Sequence, residues 1–85
     1  MRIKREHLDR GMEIDFTANF TRKDRIGRGR VSLRKRDGKY QVYVYWFIDK
    51  HREDILFESG SLKECIEYTN SLFGYDDVVV EEVIT

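Results

Sequence analysis

GRVSLRKRDGKYQVYVYWF, Gly29 to Phe47, is the stretch that decides the fold. Asp37-Gly38 lies between two strand-like runs and is a preferred two-residue type I′ turn. Such a turn needs positive φ at both central positions. A two-residue loop sets the register of the strands on either side. Arg36 then faces Lys39, Lys35 faces Tyr40 and Arg34 faces Gln41; Leu33 faces Val42, Ser32 faces Tyr43 and Val31 faces Val44. Residues directly opposite share a face of the sheet. One face is therefore predicted to carry Val31, Leu33, Tyr40, Val42, Val44 and Trp46. The other is predicted to carry Arg30, Ser32, Arg34, Arg36, Lys39, Gln41, Tyr43, Tyr45 and Phe47.

Working outward, MEIDFTANF (Met12 to Phe20) alternates with a period of two, as a half-buried strand does. Ile14, Phe16, Ala18 and Phe20 point one way; Glu13, Asp15, Thr17 and Asn19 point the other. Residues 2–10 read either as a short helical turn or as an irregular lead-in. Downstream, EDILFE (Glu53 to Glu58) returns as a third hairpin-linked strand. A four-residue DKHR connector would set Ile55 beside Trp46 and Phe57 beside Val44, with Leu56 near Tyr45 on the opposite face.

The period changes after Ser59. Ser61 and Glu64 have the S-x-x-E spacing of a capping box. Leu62, Cys65, Ile66, Thr69, Leu72 and Phe73 then fall on one helical stripe. Gly74 suits the left-handed position that ends a helix. VVVEEVI (Val78 to Ile84) reads as a last strand, since valine and isoleucine favour sheets. The expected fold is α+β, an antiparallel sheet of three to five strands packed against one helix, in the order β-β-β-β-α-β. A single domain spans residues 1–85, with 1–11 and 21–29 expected to be flexible.

Composition sets outer bounds. Of the 85 residues, 40% are hydrophobic and 38% charged, as in ordinary folded domains, and proline is absent. No apolar run is long enough to span a membrane. MRIKREHLDRGMEIDF has no apolar signal-like core, so the expected location is cytoplasmic and no membrane partner is expected. The zero net charge hides a division. Residues 1–40 hold 13 Lys or Arg against 6 acids, and residues 41–85 hold 3 against 10. Either the field is directional, or the two halves interleave in space and neutralise each other.

Catalytic and metal-binding patterns are scarce, so the chain is expected to be no enzyme and to need no cofactor or metal. His7 and His51 are the only histidines, and neither has a partner at ligand-like spacing. Asp76-Asp77 and Glu81-Glu82 read as solvated acids. Cys65 lies on the apolar helical stripe and reads as a core residue. IGRGRV holds a G-x-G fragment, but no strand precedes it and no third glycine follows, so the dinucleotide fingerprint is missing. Its glycines read as loosening the entry into the strand.

A binding role rests on the polar face of the hairpin. Arg30, Arg34, Arg36, Lys39, Gln41, Tyr43 and Tyr45 share it, and the basic loop adds Arg22, Lys23, Arg25 and Arg28. Arginine and lysine supply the phosphate contacts that dominate nucleic-acid affinity. Arginine and glutamine also read base edges in the major groove. Tyrosines stack on sugars or unpaired bases. The competing reading buries Tyr43, Tyr45 and Phe47 under the N- and C-terminal segments.

The segment RGRVSLRKRDGKYQVYVYWFIDKHREDILFESGSLKECIEYTNSL resembles the arm-type DNA-binding domain of tyrosine recombinases. It is also similar in outline to the plant AP2-type domain. The shared features are a charged first strand, a G-K-aromatic opening to the second, a return strand and a capped helix. The resemblance, over residues 28–72, implies a three-stranded sheet set into the major groove of duplex DNA. Its groove-facing positions fall on Arg30, Arg34, Arg36, Gln41, Tyr43 and Tyr45. The acidic EDILFE strand, and Glu64 and Glu67 on the helix, depart from that pattern. The alternative function is a protein-binding or self-associating domain of phage or mobile-element type, with another protein or a second copy pairing along the edge strand 78–84.

Overall fold

The computed structural model describes residues 2–22, 27–48, 52–74 and 79–81. Four antiparallel strands form its centre: β2 (Ile14–Phe20), β3 (Gly29–Arg36), β4 (Lys39–Trp46) and β5 (Glu53–Ser59), in spatial order β2-β3-β4-β5. Before them come β1 (Arg2–Lys4) and α1 (Arg5–Asp9). After them come α2 (Leu62–Phe73) and β6 (Val79–Glu81). The α+β architecture is the expected one, with β1 and α1 added at the N-terminus. Lys23 and Arg25 of the basic loop lie outside the described residues.

The β3–β4 hairpin has the predicted register at every pair from Val31↔Val44 to Arg36↔Lys39. Asp37 (φ 54) and Gly38 (φ 78) form its turn. That register sends Val31, Leu33, Val42 and Val44 wholly into the core, each burial being worth about 1.5–3 kcal/mol. Tyr40 and Trp46 join them.

Both helices pack on this first face, α1 against β3 and α2 against β4 and β5. Residues 1–11, expected to be flexible, supply β1 and α1, and their Ile3 and Leu8 are almost fully buried. β1 pairs in parallel with β6, tying the described end of the chain to its beginning. The expected edge strand 78–84 is thus paired on one side at Val79–Glu81, and its other residues lie outside the description.

Helix α2 starts as its spacing predicts, with one substitution in the capping circuit. Ser61 Oγ accepts from the Glu64 backbone N–H at 3.4 Å. The Ser61 N–H donates to Ser59 Oγ at 3.0 Å rather than to Glu64, and that hydroxyl in turn donates to Glu64 Oε2. Gly74 closes the helix in the left-handed conformation at φ 69. Leu62, Cys65, Ile66 and Thr69 are buried as the stripe requires, whereas Leu72 is 37% exposed. At its end the stripe turns past the sheet, where Phe73 still meets Phe20 edge to face.

The third hairpin-linked strand departs from its expected register. Phe57 faces Val42 rather than Val44, and a bulge follows, so that Ile55 faces Tyr43. Ile55 therefore lies on the second face and is 51% exposed. Leu56 is the extra residue of the bulge and packs with Phe57 against the core. Phe57 stacks on Tyr68 of α2, with ring centroids 4.8 Å apart. Strand β2 also carries irregularities, between Asp15 and Thr17 and between Thr17 and Phe20. Ile14, Phe16 and Phe20 still reach the core.

Candidate functional site

The second face of the sheet is the surface in question. Neither β2 nor β6 crosses it: β2 pairs edge to edge with β3, and β6 pairs with β1. Tyr43 is nonetheless only 3% exposed. It is covered by a neighbour on its own face, since the Arg34 guanidinium carbon stands 3.9 Å from its ring centroid.

Arg34 is itself only 6% exposed. Its Nε donates to Gln41 Oε1 at 2.9 Å, and Nη1 donates to Glu53 Oε2 at 2.8 Å. Gln41 Nε2 then donates to Glu58 Oε2 at 2.6 Å. Charge-assisted bonds of this length are strong, and every member has a partner. Lys39 adds a looser pair with Glu58 at 3.6 Å. Burial pushes the Tyr43 phenol well above its usual pKa, helped by its hydrogen bond to Glu13.

Toward β2 the same pattern repeats. Ser32 Oγ donates to Asp15 Oδ1 at 2.5 Å, and Arg30 pairs with Asp15 at 3.7 Å. Arg30 also lies over the exposed Phe47 ring, 5.9 Å from its centroid. Between these groups is a pocket of about 480 Å³ lined by Glu13, Asp15, Arg30, Ser32, Tyr43, Tyr45 and Glu53. Tyr45 is half-buried in its wall, and Ile55 stands exposed beside Tyr43.

The structure thus brings Arg30, Arg34, Gln41, Tyr43 and Tyr45 together and sets Arg36 and Lys39 at the hairpin tip. Arg36 is exposed, without an ion pair among the described residues. Arg22 and Arg28 are exposed near the opposite end of β3. The sequence shows EDILFE to be acidic, but not that its Glu53 and Glu58 pair with Arg34 and Gln41. Glu13 and Asp15 fall on the polar side of the Met12 to Phe20 alternation, but nothing local in the sequence sets that strand beside β3. Glu58 reaches Gln41 as its direct cross-strand partner, and Glu53 reaches Arg34 from beyond the bulge of β5.

Among the described residues, no group of three or more histidine, cysteine or acidic side chains could hold a metal ion, and no helix is long and apolar enough to cross a membrane. No protein-family model matches the chain, and no significant match is found to a curated protein or to a solved structure.

Proposed function

We propose that this chain is a non-catalytic binding module whose partner is another protein, docked on the open face of the four-stranded sheet. The observation that carries this is the pairing of Arg34 with Glu53 at 2.8 Å while Arg34 covers Tyr43. The arginine and tyrosine at the centre of the face already serve each other. Four carboxylates, from Glu13, Asp15, Glu53 and Glu58, stand among Arg30, Arg34, Arg36 and Lys39. A phosphate backbone crossing this surface would meet acids on both flanking strands. Exposed Phe47 and Ile55 next to Tyr45 and Arg30 instead have the mixed aromatic, apolar and arginine character of a protein interface.

Nucleic-acid binding is the second reading, favoured by one observation: Arg36 is exposed at the hairpin tip with no ion pair among the described residues. In that reading the footprint moves from the centre of the face to its ends, at Arg36 with Lys39 and at Arg22, Arg28 and Arg30. The similarity to the recombinase arm-type domain belongs to this reading. Titration of short DNA and RNA duplexes at low salt separates the two. The protein-docking reading expects no binding at micromolar protein. Salt-dependent binding that weakens in Arg28→Ala and Arg36→Ala would overturn it.

A further inference from the structure

The pocket on the open face has its carboxylates on opposite walls. Asp15 comes from β2 and Glu13 from the residue just before that strand, and Glu53 comes from β5 across two intervening strands. Ser32 and Tyr43 lie between them, and Tyr45 supplies an aromatic wall. Glu53 is neutralised by Arg34 beneath it. Arg30 is a weaker counter-charge, because it meets Asp15 at 3.7 Å with both side chains about half exposed, at 49% and 55%. Exposed pairs of this kind contribute little and exchange readily with water or a competing cation. A carboxylate has about four acceptor sites, so those of Glu13 and Asp15 are not exhausted by single bonds to Tyr43 and Ser32.

These carboxylates are spread round the walls of a roomy pocket and, among the described residues, form no metal-binding group. The cation that suits them is organic, with its charge on a long apolar stem. The volume of about 480 Å³ is ample for one such side chain. Tyr45 lines the pocket with an aromatic ring, and exposed Ile55, paired with Tyr43, and exposed Phe47, under Arg30, add apolar surface next to lining residues.

We propose that this pocket receives an arginine or lysine side chain from a segment of the partner protein, with the cation between Glu13 and Asp15 and its stem against Tyr45. The assignment rests on the protein-docking reading above and names the chemistry of its partner. Arg30 swings from Asp15 toward Phe47, over which it already lies, when the incoming cation takes its place.

N-acetyl-arginine amide and N-acetyl-lysine amide test this, titrated into the isotopically labelled full chain and followed by amide chemical shifts. N-acetyl-citrulline amide serves as the neutral, near-isosteric control. The expected result is a saturable shift centred on Asp15, Ser32 and Tyr45 with the cationic probes and none with the control. Asp15→Asn and Glu13→Gln should each weaken binding by about three- to tenfold. Tyr45→Phe should preserve binding and Tyr45→Ala should weaken it, with undisturbed peaks elsewhere showing that the variant is folded. Equal shifts from the control, no saturation, or binding unaffected by both carboxylate variants would each overturn the proposal. Self-association of the wild type that Asp15→Asn abolishes would make a second copy the occupant and would also overturn it. None of these outcomes depends on the duplex titration, so the pocket can fail while the docking reading stands.

Discussion

Arg34 lies with its guanidinium carbon 3.9 Å from the ring centroid of Tyr43 and keeps that tyrosine out of water on a face that none of the other described elements crosses. The arrangement works because Gln41 and Glu53 take the guanidinium N–H groups. Removing Glu53 leaves a largely buried charge with one partner fewer. Glu53→Ala is expected to cost about 1–3 kcal/mol. Arg34→Met combined with Glu53→Ala should cost less than Glu53→Ala alone, because no buried charge is then left behind. Urea unfolding of the three proteins checks the order, and a double variant less stable than the Glu53 single would contradict it.

Gly29 is where Phe20 and Trp46 meet. It pairs with Trp46 on one side and Phe20 on the other, and the two rings approach to 6.2 Å between centroids. A methyl group on Gly29 would stand 2.5 Å from Val44 Cγ2 and 3.0 Å from the Tyr45 carbonyl oxygen. The glycine is required by close packing, beyond the loosened strand entry read from IGRGRV. Gly29→Ala is expected to destabilise the fold by about 1–3 kcal/mol, read by thermal or urea unfolding. A change at Gly60, where a methyl meets nothing within 4 Å, serves as the control.

Lys35 and Asp9 join β3 to the end of α1 at 3.0 Å. The hydrogen bond from Lys35 holds the Asp9 carboxyl below its ordinary value of 3.8, and the same bond raises Lys35 above 10.5. A lowered acid stabilises the fold above its unfolded pKa and loses that contribution as pH falls through the folded one. A raised base stabilises it below its unfolded pKa and loses that contribution as pH rises through the folded one. Asp9→Asn should therefore lower the melting temperature slightly at neutral pH. The gap to wild type should shrink below about pH 4 and again above about pH 10. A constant gap across the range would show that the pair contributes nothing.

Cys65 is fully buried, with Sγ 3.5 Å from the Tyr40 carbonyl oxygen. Burial pushes its thiol up to about 11. Since the thiolate is the reactive form, native protein at pH 8 should react with a disulfide reagent only as fast as it opens. Adding urea through the unfolding transition should bring the rate up to that of a free thiol. Rapid stoichiometric reaction without denaturant would show that α2 does not stay seated on β4.

The hairpin was legible in the sequence down to individual pairs. Asp37-Gly38 specifies a two-residue turn, and such a turn leaves one register. The helix was legible for a similar reason, because Ser61 and Gly74 mark its ends through local backbone geometry. The register of β5 was not legible. A bulge at Leu56 shifts the strand for the sake of core packing, and no local signal distinguishes Leu56 from Ile55 as the residue to turn inward. The candidate site divides the same way. Local sequence determined which residues of β3 and β4 share a face. Only the tertiary structure decided what that face is, because its electrostatics depend on Glu13, Asp15, Glu53 and Glu58 from the segments that flank the hairpin. Charge along a chain says how many cations there are; the pairing of strands decides which of them reach water.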